Sequence, residues 1–117
     1  MRKRKDVIRY CKSFADVYED YPFHDDNWCV MRHKGSKKTF AYIYERNEYI
    51  WVNVKCDPEW RDFWRGAFSS VVSAYHMNKK YWNSIILDGT IPKEDIRRMI
   101  AESYDLTKGK CTLRRKN

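Results

Sequence analysis

Apolar residues near the start of the chain recur at the spacing of one helical face. They are Val7, Ile8, Cys11, Phe14, Ala15 and Tyr18, with charged residues between them. This period predicts an amphipathic helix over about residues 4–19, with one face against a core. The helix is expected to end before Pro22, because the residue that precedes a proline avoids the α conformation.

Two further helices are predicted from their start signals and apolar faces. Asp57 offers an N-cap oxygen and Pro58 suits the first helical position, so a helix is expected to start there. Its buried face is expected to contain Trp60, Phe63, Trp64 and Ala67. A last helix is predicted over about residues 92–104, with Ile96, Met99, Ile100, Ser103 and Tyr104 facing inward.

Strand signals occupy the segments between these helices. Residues 28–32, 38–45 and 49–55 are rich in aromatic and β-branched side chains, and short polar turns separate them. Short links of this kind predict an antiparallel meander. Residues 71–75 and 81–87 are predicted to add two more strands. Within residues 38–45, simple alternation assigns Phe40, Tyr42 and Tyr44 to one face of the sheet and Thr39, Ala41 and Ile43 to the other.

The predicted order α-β(3)-α-β(2)-α describes a two-layer α+β fold, an antiparallel sheet with helices packed on it. At 117 residues a single domain is expected, with an ordered core over about 5–107 and basic tails at 1–5 and 108–117. No apolar run approaches the roughly 20 residues of a membrane span. The basic start lacks the apolar stretch of a signal peptide, so a cytoplasmic protein, monomeric and without membrane contact, is expected.

Composition narrows the class of protein further. Hydrophobic residues make up 43% of the chain and aromatic residues 16%, which excludes a disordered chain. The four cysteines are Cys11, Cys29, Cys56 and Cys111, and no two of them have the C-x-x-C spacing of a zinc knuckle. In the absence of an export signal, free thiols are favoured over disulfides.

The net charge of +8 comes from the ends of the chain. Four basic residues lie in residues 1–5 and five lie in 108–117, where there is no acidic residue. The basic and acidic residues of 6–107 nearly cancel, and this body carries a net charge of about −1. Basic tails bind phosphate without specificity, and they also serve as solubilising termini.

Five motifs together carry a resemblance to a known family. They are Tyr21-Pro22-Phe23, Asn53-Val54-Lys55-Cys56-Asp57-Pro58-Glu59, Tyr75-His76-Met77-Asn78-Lys79-Lys80-Tyr81-Trp82, Leu87-Asp88-Gly89 and Ser103-Tyr104-Asp105-Leu106. On these motifs the chain resembles the MmcQ/YjbR family of small bacterial proteins over roughly residues 5–107. Two positions depart from the family pattern: His24 stands where a glycine is common, and Thr39 where a larger apolar residue often precedes Phe40.

The resemblance implies a two-layer α+β fold, often compared with frataxin-like and secretion-chaperone-like domains. It also implies DNA binding, the function predicted for the family, with hairpins arranged as wings. It supplies no catalytic or binding residues for particular positions of this chain. The candidate residues below therefore come from the chemistry of the sequence alone.

Three basic stretches are candidates for contact with DNA or RNA. They carry Lys34, Lys37 and Lys38 in the loop 33–38, Arg46 at a hairpin tip, and His76, Lys79 and Lys80 ahead of Tyr81 and Trp82. Cationic side chains bind phosphate, and aromatic rings stack on bases. Ordinary solvated loops give the same pattern. Glu45 and Glu48 flank Arg46 and would repel phosphate, so the loop 33–38 ranks above the hairpin.

Tyr49 and Trp51 indicate a second and different function. If Ile50, Val52 and Val54 face the helices, these two aromatic residues lie on the open face of the sheet. Exposed aromatic side chains on such a face are typical of a protein-interaction or chaperone-like module. A helix or loop that covers them would remove this argument.

Candidate metal and catalytic residues are few. His24, Asp25 and Asp26 are potential ligands, but adjacent residues rarely converge on one ion, and no metal or cofactor is expected. The sequence has no glycine-rich phosphate loop, nucleophile elbow or H-E-x-x-H motif, so an enzyme is not expected. Asp88, in an Asp-Gly turn, is interpreted as structural.

Overall fold

The structure is a computed structural model, and it describes residues 1–75 and 77–109. In chain order its elements are α1 (Arg4–Lys12), β1 (Val17–Asp20), β2 (Cys29–His33), β3 (Thr39–Arg46), β4 (Tyr49–Lys55), α2 (Pro58–Ala67), β5 (Val71–Ser73), β6 (Trp82–Ile86) and α3 (Lys93–Thr107). The strands form one antiparallel sheet in the order β1-β2-β3-β4-β6-β5. The three helices share one core with it, which confirms the predicted α+β class.

The first helix is shorter than predicted, and a strand follows it. α1 ends at Lys12, and Asp16 then adopts a φ of 56°, a left-handed conformation that stops helical propagation. Residues 17–20 form β1, which pairs with β2 at the edge of the sheet. The prediction of one helix over residues 4–19 is therefore wrong. Pairing with β2 outweighs the helical spacing of Tyr18, because the sheet supplies the backbone hydrogen bonds of this segment.

A β-bulge in β3 corrects the predicted assignment of side chains to faces. Met31 pairs with Ala41 and Arg32 pairs with Thr39, so Phe40 is an extra residue between the two pairs. Phe40 consequently joins Ala41 in the core beneath the helices. The alternation that grouped Phe40 with Tyr42 fails at this bulge.

Ser103 ties α3 to the sheet. Its hydroxyl donates to the carbonyl oxygen of Phe40 at 2.7 Å and accepts from the backbone N–H of Lys55 at 2.9 Å. The predicted inward face of this helix is confirmed, with Ile96, Met99, Ile100, Ser103 and Tyr104 all buried. Within the described part of the chain, no helix has the length and apolar character needed to cross a membrane.

The predicted start of α2 is confirmed, but its predicted buried face is only partly correct. The Asp57 carboxylate accepts from the backbone N–H of Glu59 at 3.1 Å, as an N-cap does. Trp64 is buried, whereas Ala67 is exposed and Trp60 and Phe63 are 46% and 54% exposed. α2 contacts the edge strand β5 and its neighbour β6, so it lies at one side of the sheet and buries only part of its predicted face.

The cysteines inside the described residues are free thiols, as predicted. Cys11, Cys29 and Cys56 are all buried, and Cys111 lies outside the described residues. Burial raises the pKa of Cys56 to about 12 and raises the pKa of Cys11 still further. Thiols held in the protonated form are poor nucleophiles, so these side chains serve packing.

His33 is a buried histidine at the contact between the sheet and α3. Its ring lies 5.2 Å from the Phe40 ring and 4.6 Å from the Tyr104 ring, between ring centroids. Nε2 lies 2.9 Å from the Thr107 hydroxyl. Burial lowers the pKa of His33, and the charges of Lys108 and Lys38 lower it further. A backbone hydrogen bond at Tyr104 and the charge of Asp105 raise the pKa, but the net shift is downward.

This histidine is expected to make stability fall as the pH drops below about 6.5. Below that pH the unfolded state binds a proton at His33 that the folded state does not bind. Each unit by which folding lowers the pKa reduces the free energy of unfolding at low pH by about 1.4 kcal/mol. Urea unfolding at pH 7.5 and pH 5.5 measures the loss, and His33→Gln should remove most of it. An equal loss in His33→Gln would assign the effect to other groups.

Candidate functional site

A cleft of about 450 Å³ opens on the sheet face opposite the helices. It is lined by Phe23, Asp25, Trp28, Tyr42, Tyr75 and Met77, here called the aromatic cleft. Ile43 and Val52 pair with each other and point into the core, so their strand neighbours Tyr42 and Trp51 point to the opposite face. The volume lies in the range of small-ligand and side-chain sites.

A loop between β5 and β6 crosses the open face and forms one wall of the cleft. A buried polar network holds it at Tyr75. Asn53 Nδ2 donates to the Tyr75 carbonyl at 3.0 Å, and the Tyr75 N–H donates to Ser84 Oγ at 3.0 Å. Asn53 Oδ1 in turn accepts from Tyr44 Oη at 2.8 Å and from Ser84 Oγ at 2.5 Å. Every polar atom of the network has a partner, so the loop is fixed on the sheet.

Arg46 packs against the residues of this wall without lining the cleft, so it is not a free hairpin tip. Its guanidinium lies 4.0 Å from the centre of the Tyr75 ring and 4.6 Å from that of Trp51. Trp51 Nε1 donates to the Arg46 carbonyl at 2.9 Å. Trp51 is therefore only 7% exposed, and the interpretation of Trp51 as an exposed residue is wrong. Tyr49, at 41%, remains exposed.

The opposite wall is the loop between β1 and β2. Asp25 Oδ1 accepts from the Asn27 N–H at 2.7 Å, and Asn27 Oδ1 accepts from the Glu45 N–H at 2.7 Å. Arg4 donates to the Asn27 carbonyl at 2.6 Å, so the expected basic tail 1–5 partly packs into the fold. His24 has a φ of 55°, which glycine adopts at least cost and which accounts for the glycine expected there.

The charge of this loop is negative where it borders the cleft. Glu19 and Asp20 are neutralised by Lys12 and Arg32, each pair at 2.9 Å. Among the residues that the structure describes, no basic side chain pairs with Asp25. The aromatic cleft therefore combines ring faces with one unneutralised carboxylate.

The described lysine candidates for nucleic-acid contact lie at one end of the sheet. Lys34, Lys37 and Lys38 are exposed in the turn between β2 and β3, and Lys79 and Lys80 are exposed just before β6. Lys55 pairs with Trp82, which puts the start of β6 at the same end as that turn. Arg46 lies at the opposite end, and His76 is outside the described residues.

α2 holds the backbone of the Lys79–Lys80 segment. Arg61 Nη1 donates to the Lys80 carbonyl at 2.7 Å, and Arg65 Nη2 donates to the Lys79 carbonyl at 2.7 Å. Arg65 Nε also donates to the buried Asn83 Oδ1 at 2.7 Å. The two arginines fix the path of the loop and leave its lysine side chains exposed.

Of the remaining polar candidates, Asp88 has a structural role. His24, Asp25 and Asp26 belong to no group of three potential metal ligands within residues 1–75 and 77–109. Asp88 accepts from the Ser70 hydroxyl and from the Thr90 N–H, the latter at 3.0 Å, and so closes the Asp-Gly turn. Burial raises the pKa of Asp88, but these hydrogen bonds outweigh it and lower the pKa overall.

The apolar and aromatic residues that line the cleft were not predicted as site residues from the sequence. Phe23, Tyr75 and Met77 fall within the quoted family motifs, and Trp28 and Tyr42 fall on the sheet face opposite the core. The available signal was the excess of aromatic residues on the face that a solvated sheet would make polar. The loop between β5 and β6 crosses that face of the sheet, and the cleft forms between this loop and the aromatic rings.

Comparison with known proteins identifies relatives along nearly the whole chain. The YjbR family model matches residues 12–106. Uncharacterized protein YyaQ of Bacillus subtilis is 31% identical, over 92% of this chain and 100% of its own. Uncharacterized protein YjbR of Escherichia coli K12 is 28% identical, over 85% of this chain and 81% of its own. A crystal structure of a Deinococcus radiodurans protein has a TM-score of 0.86 at 30% identity, covering 97% of this chain and 84% of that one.

Proposed function

Because the chain belongs to the YjbR family, whose relatives named above are uncharacterised, we propose a function from the aromatic cleft itself: a protein-interaction module that receives a basic side chain of a partner protein. The observation that carries the proposal is the juxtaposition of aromatic rings with the Asp25 carboxylate in one concave site. Cations bind over the faces of aromatic rings, and a carboxylate adds charge attraction. The proposal is of a binding module and not of an enzyme.

The walls of the cleft favour binding because they are already ordered. The Trp28 ring stacks on Tyr44 with centroids 4.0 Å apart and meets the edge of Phe23 at 6.0 Å. Phe23 is nevertheless 54% exposed, so a side chain entering the cleft would remove apolar surface from water. A preformed site of this kind loses little conformational entropy when it binds.

Charge favours a basic guest over a phosphate. Asp25 lines the cleft, and the adjacent depression keeps a net negative charge, because Arg4 and Arg46 offset only two of its three acids, Asp26, Glu45 and Glu48. These carboxylates repel phosphate and attract guanidinium or ammonium groups. The partner is accordingly expected to present an arginine or lysine from a basic segment.

NMR titration with N-acetyl-arginine amide tests the proposal, and N-acetyl-citrulline amide is the uncharged control ligand. The arginine compound should shift the Trp28 indole and the amides of residues 23–28, and the citrulline compound should bind about tenfold more weakly. Asp25→Asn should weaken arginine binding strongly, whereas Asp26→Asn, outside this cleft, should weaken it much less. Equal binding of both compounds, or an equal effect of both variants, would contradict the proposal.

Phosphate-backbone binding is the second candidate, favoured by the clustering of lysines at one end of the sheet. The turn 34–38 leads into β3 and the segment 79–80 leads into β6, and only β4 lies between these strands, which puts them about 10 Å apart. Fluorescence anisotropy with duplex DNA across a salt series measures this binding. Joint replacement of Lys37, Lys38, Lys79 and Lys80 by alanine should reduce the salt slope, and an unchanged slope would reject this site.

A further inference from the structure

A second cleft, of about 620 Å³, lies between α1 and α3 on the helical side of the molecule. Its lining includes Asp6, Arg9, Tyr10, Ser13, Lys93 and Arg97, here called the helical cleft. It shares no lining residue with the aromatic cleft. The two sites are therefore separable by mutation, and nothing below depends on the proposed protein interaction.

Positive charge is concentrated in the helical cleft. Three basic side chains from two helices, those of Arg9, Lys93 and Arg97, line it together with a single carboxylate, that of Asp6. Asp6 approaches Arg9 only to 3.9 Å, and the Arg9 side chain is 76% exposed, so this pair is weak. In the described part of the chain, no carboxylate pairs with Lys93 or Arg97.

Contacts between the helices set the position of these groups. The Arg97 guanidinium lies 5.3 Å from the centre of the Tyr10 ring, and Tyr10 Oη donates to the Arg97 carbonyl at 3.2 Å. Ser13 Oγ donates to the Tyr10 carbonyl at 2.5 Å at the end of α1. The cations are thus presented by two helices that are bonded to each other, not by separate mobile segments.

We propose that the helical cleft binds the phosphate group of a phosphorylated small molecule. The local surplus of two positive charges matches a phosphate monoester, which carries up to two negative charges at neutral pH. Guanidinium groups bind phosphate oxygens through paired N–H donors, and the lysine adds a point charge. A volume of about 620 Å³ accommodates a nucleotide-sized ligand. The net charge of residues 6–107 is close to zero, so the net charge alone does not indicate this local positive site.

NMR titration of the full chain with adenosine monophosphate, with adenosine as the uncharged control, tests this inference. The monophosphate should shift the amides of residues 9–13 and 93–97 to saturation, and adenosine should not. Arg97→Gln should weaken binding at least about tenfold. Arg98→Gln removes the same charge from the next position of α3, outside the cleft, and should leave binding nearly unchanged.

Three results would overturn the inference. Equal loss in Arg97→Gln and Arg98→Gln would show general charge attraction instead of a site. Shifts that do not saturate, or that fall on other residues, would have the same meaning. Perturbation of these amides by duplex DNA but not by the monophosphate would show that the cleft contacts a polyanion and not a small molecule.

Discussion

Asn53→Leu is expected to lower the free energy of unfolding by about 2–4 kcal/mol. Asn53 is fully buried, and its amide accepts from Tyr44 and Ser84 and donates to the Tyr75 carbonyl. Leucine fills similar space but leaves these partners without the amide. A buried polar group that loses its partner costs about 1–3 kcal/mol, and re-pairing of the Tyr44 and Ser84 hydroxyls, now 3.4 Å apart, limits the total.

The same substitution should weaken the aromatic cleft. The backbone N–H and carbonyl of Tyr75 both bond to the sheet at the cleft wall, so release of the carbonyl loosens the crossing loop there. Urea unfolding followed by tryptophan fluorescence gives the stability change, and the arginine titration gives the effect on the cleft. A loss of stability with unchanged arginine binding would separate the network from the site.

Tyr44→Phe is the matched control for this network. It removes one hydroxyl while Ser84 still donates to Asn53 Oδ1, so the expected cost is about 1 kcal/mol. The stacking of the ring on Trp28 is retained. If Tyr44→Phe cost as much as Asn53→Leu, the stability would come from the tyrosine contact and not from the amide at the centre.

The network explains why the cleft could not be predicted from strand alternation. The pattern correctly placed Trp51 on the face opposite the helices, where the same alternation also puts Asn53, and such a face is usually solvated. The crossing loop buries both residues instead. Its path depends on contacts between residues distant in sequence, such as Asn53 with Tyr75, and no local period records these contacts.

Much of the fold was predictable because its signals are local. The Asp57-Pro58 start of α2 and the inward face of α3 follow from capping chemistry and helical spacing, and both are confirmed. β1 was missed because Val17 and Tyr18 fit a helix by spacing, whereas their hydrogen bonds come from β2. An edge strand of four residues has too few positions to show a period of two.

Phe40→Ala is expected to lower the free energy of unfolding by about 3–5 kcal/mol. The bulge turns this fully buried ring towards the helices, where its centroid lies 5.3 Å from that of Tyr104 and 6.0 Å from that of Phe14. Removing the ring opens a cavity at the junction of α1, α3 and the sheet, which backbone elements on three sides prevent from closing. Chemical denaturation of the variant beside the parent chain measures the loss.

Tyr42→Ala is the matched variant on the other side of the bulge. Tyr42 is half-buried, meets the edge of Trp82 at 5.6 Å and lines the aromatic cleft, so its loss should cost only about 1 kcal/mol of stability while reducing arginine binding. Uninterrupted alternation would place both rings on one face, and the two variants would then behave alike. Because the bulge puts Phe40 in the core and Tyr42 in the cleft, Phe40→Ala should mainly lower stability and Tyr42→Ala should mainly weaken arginine binding.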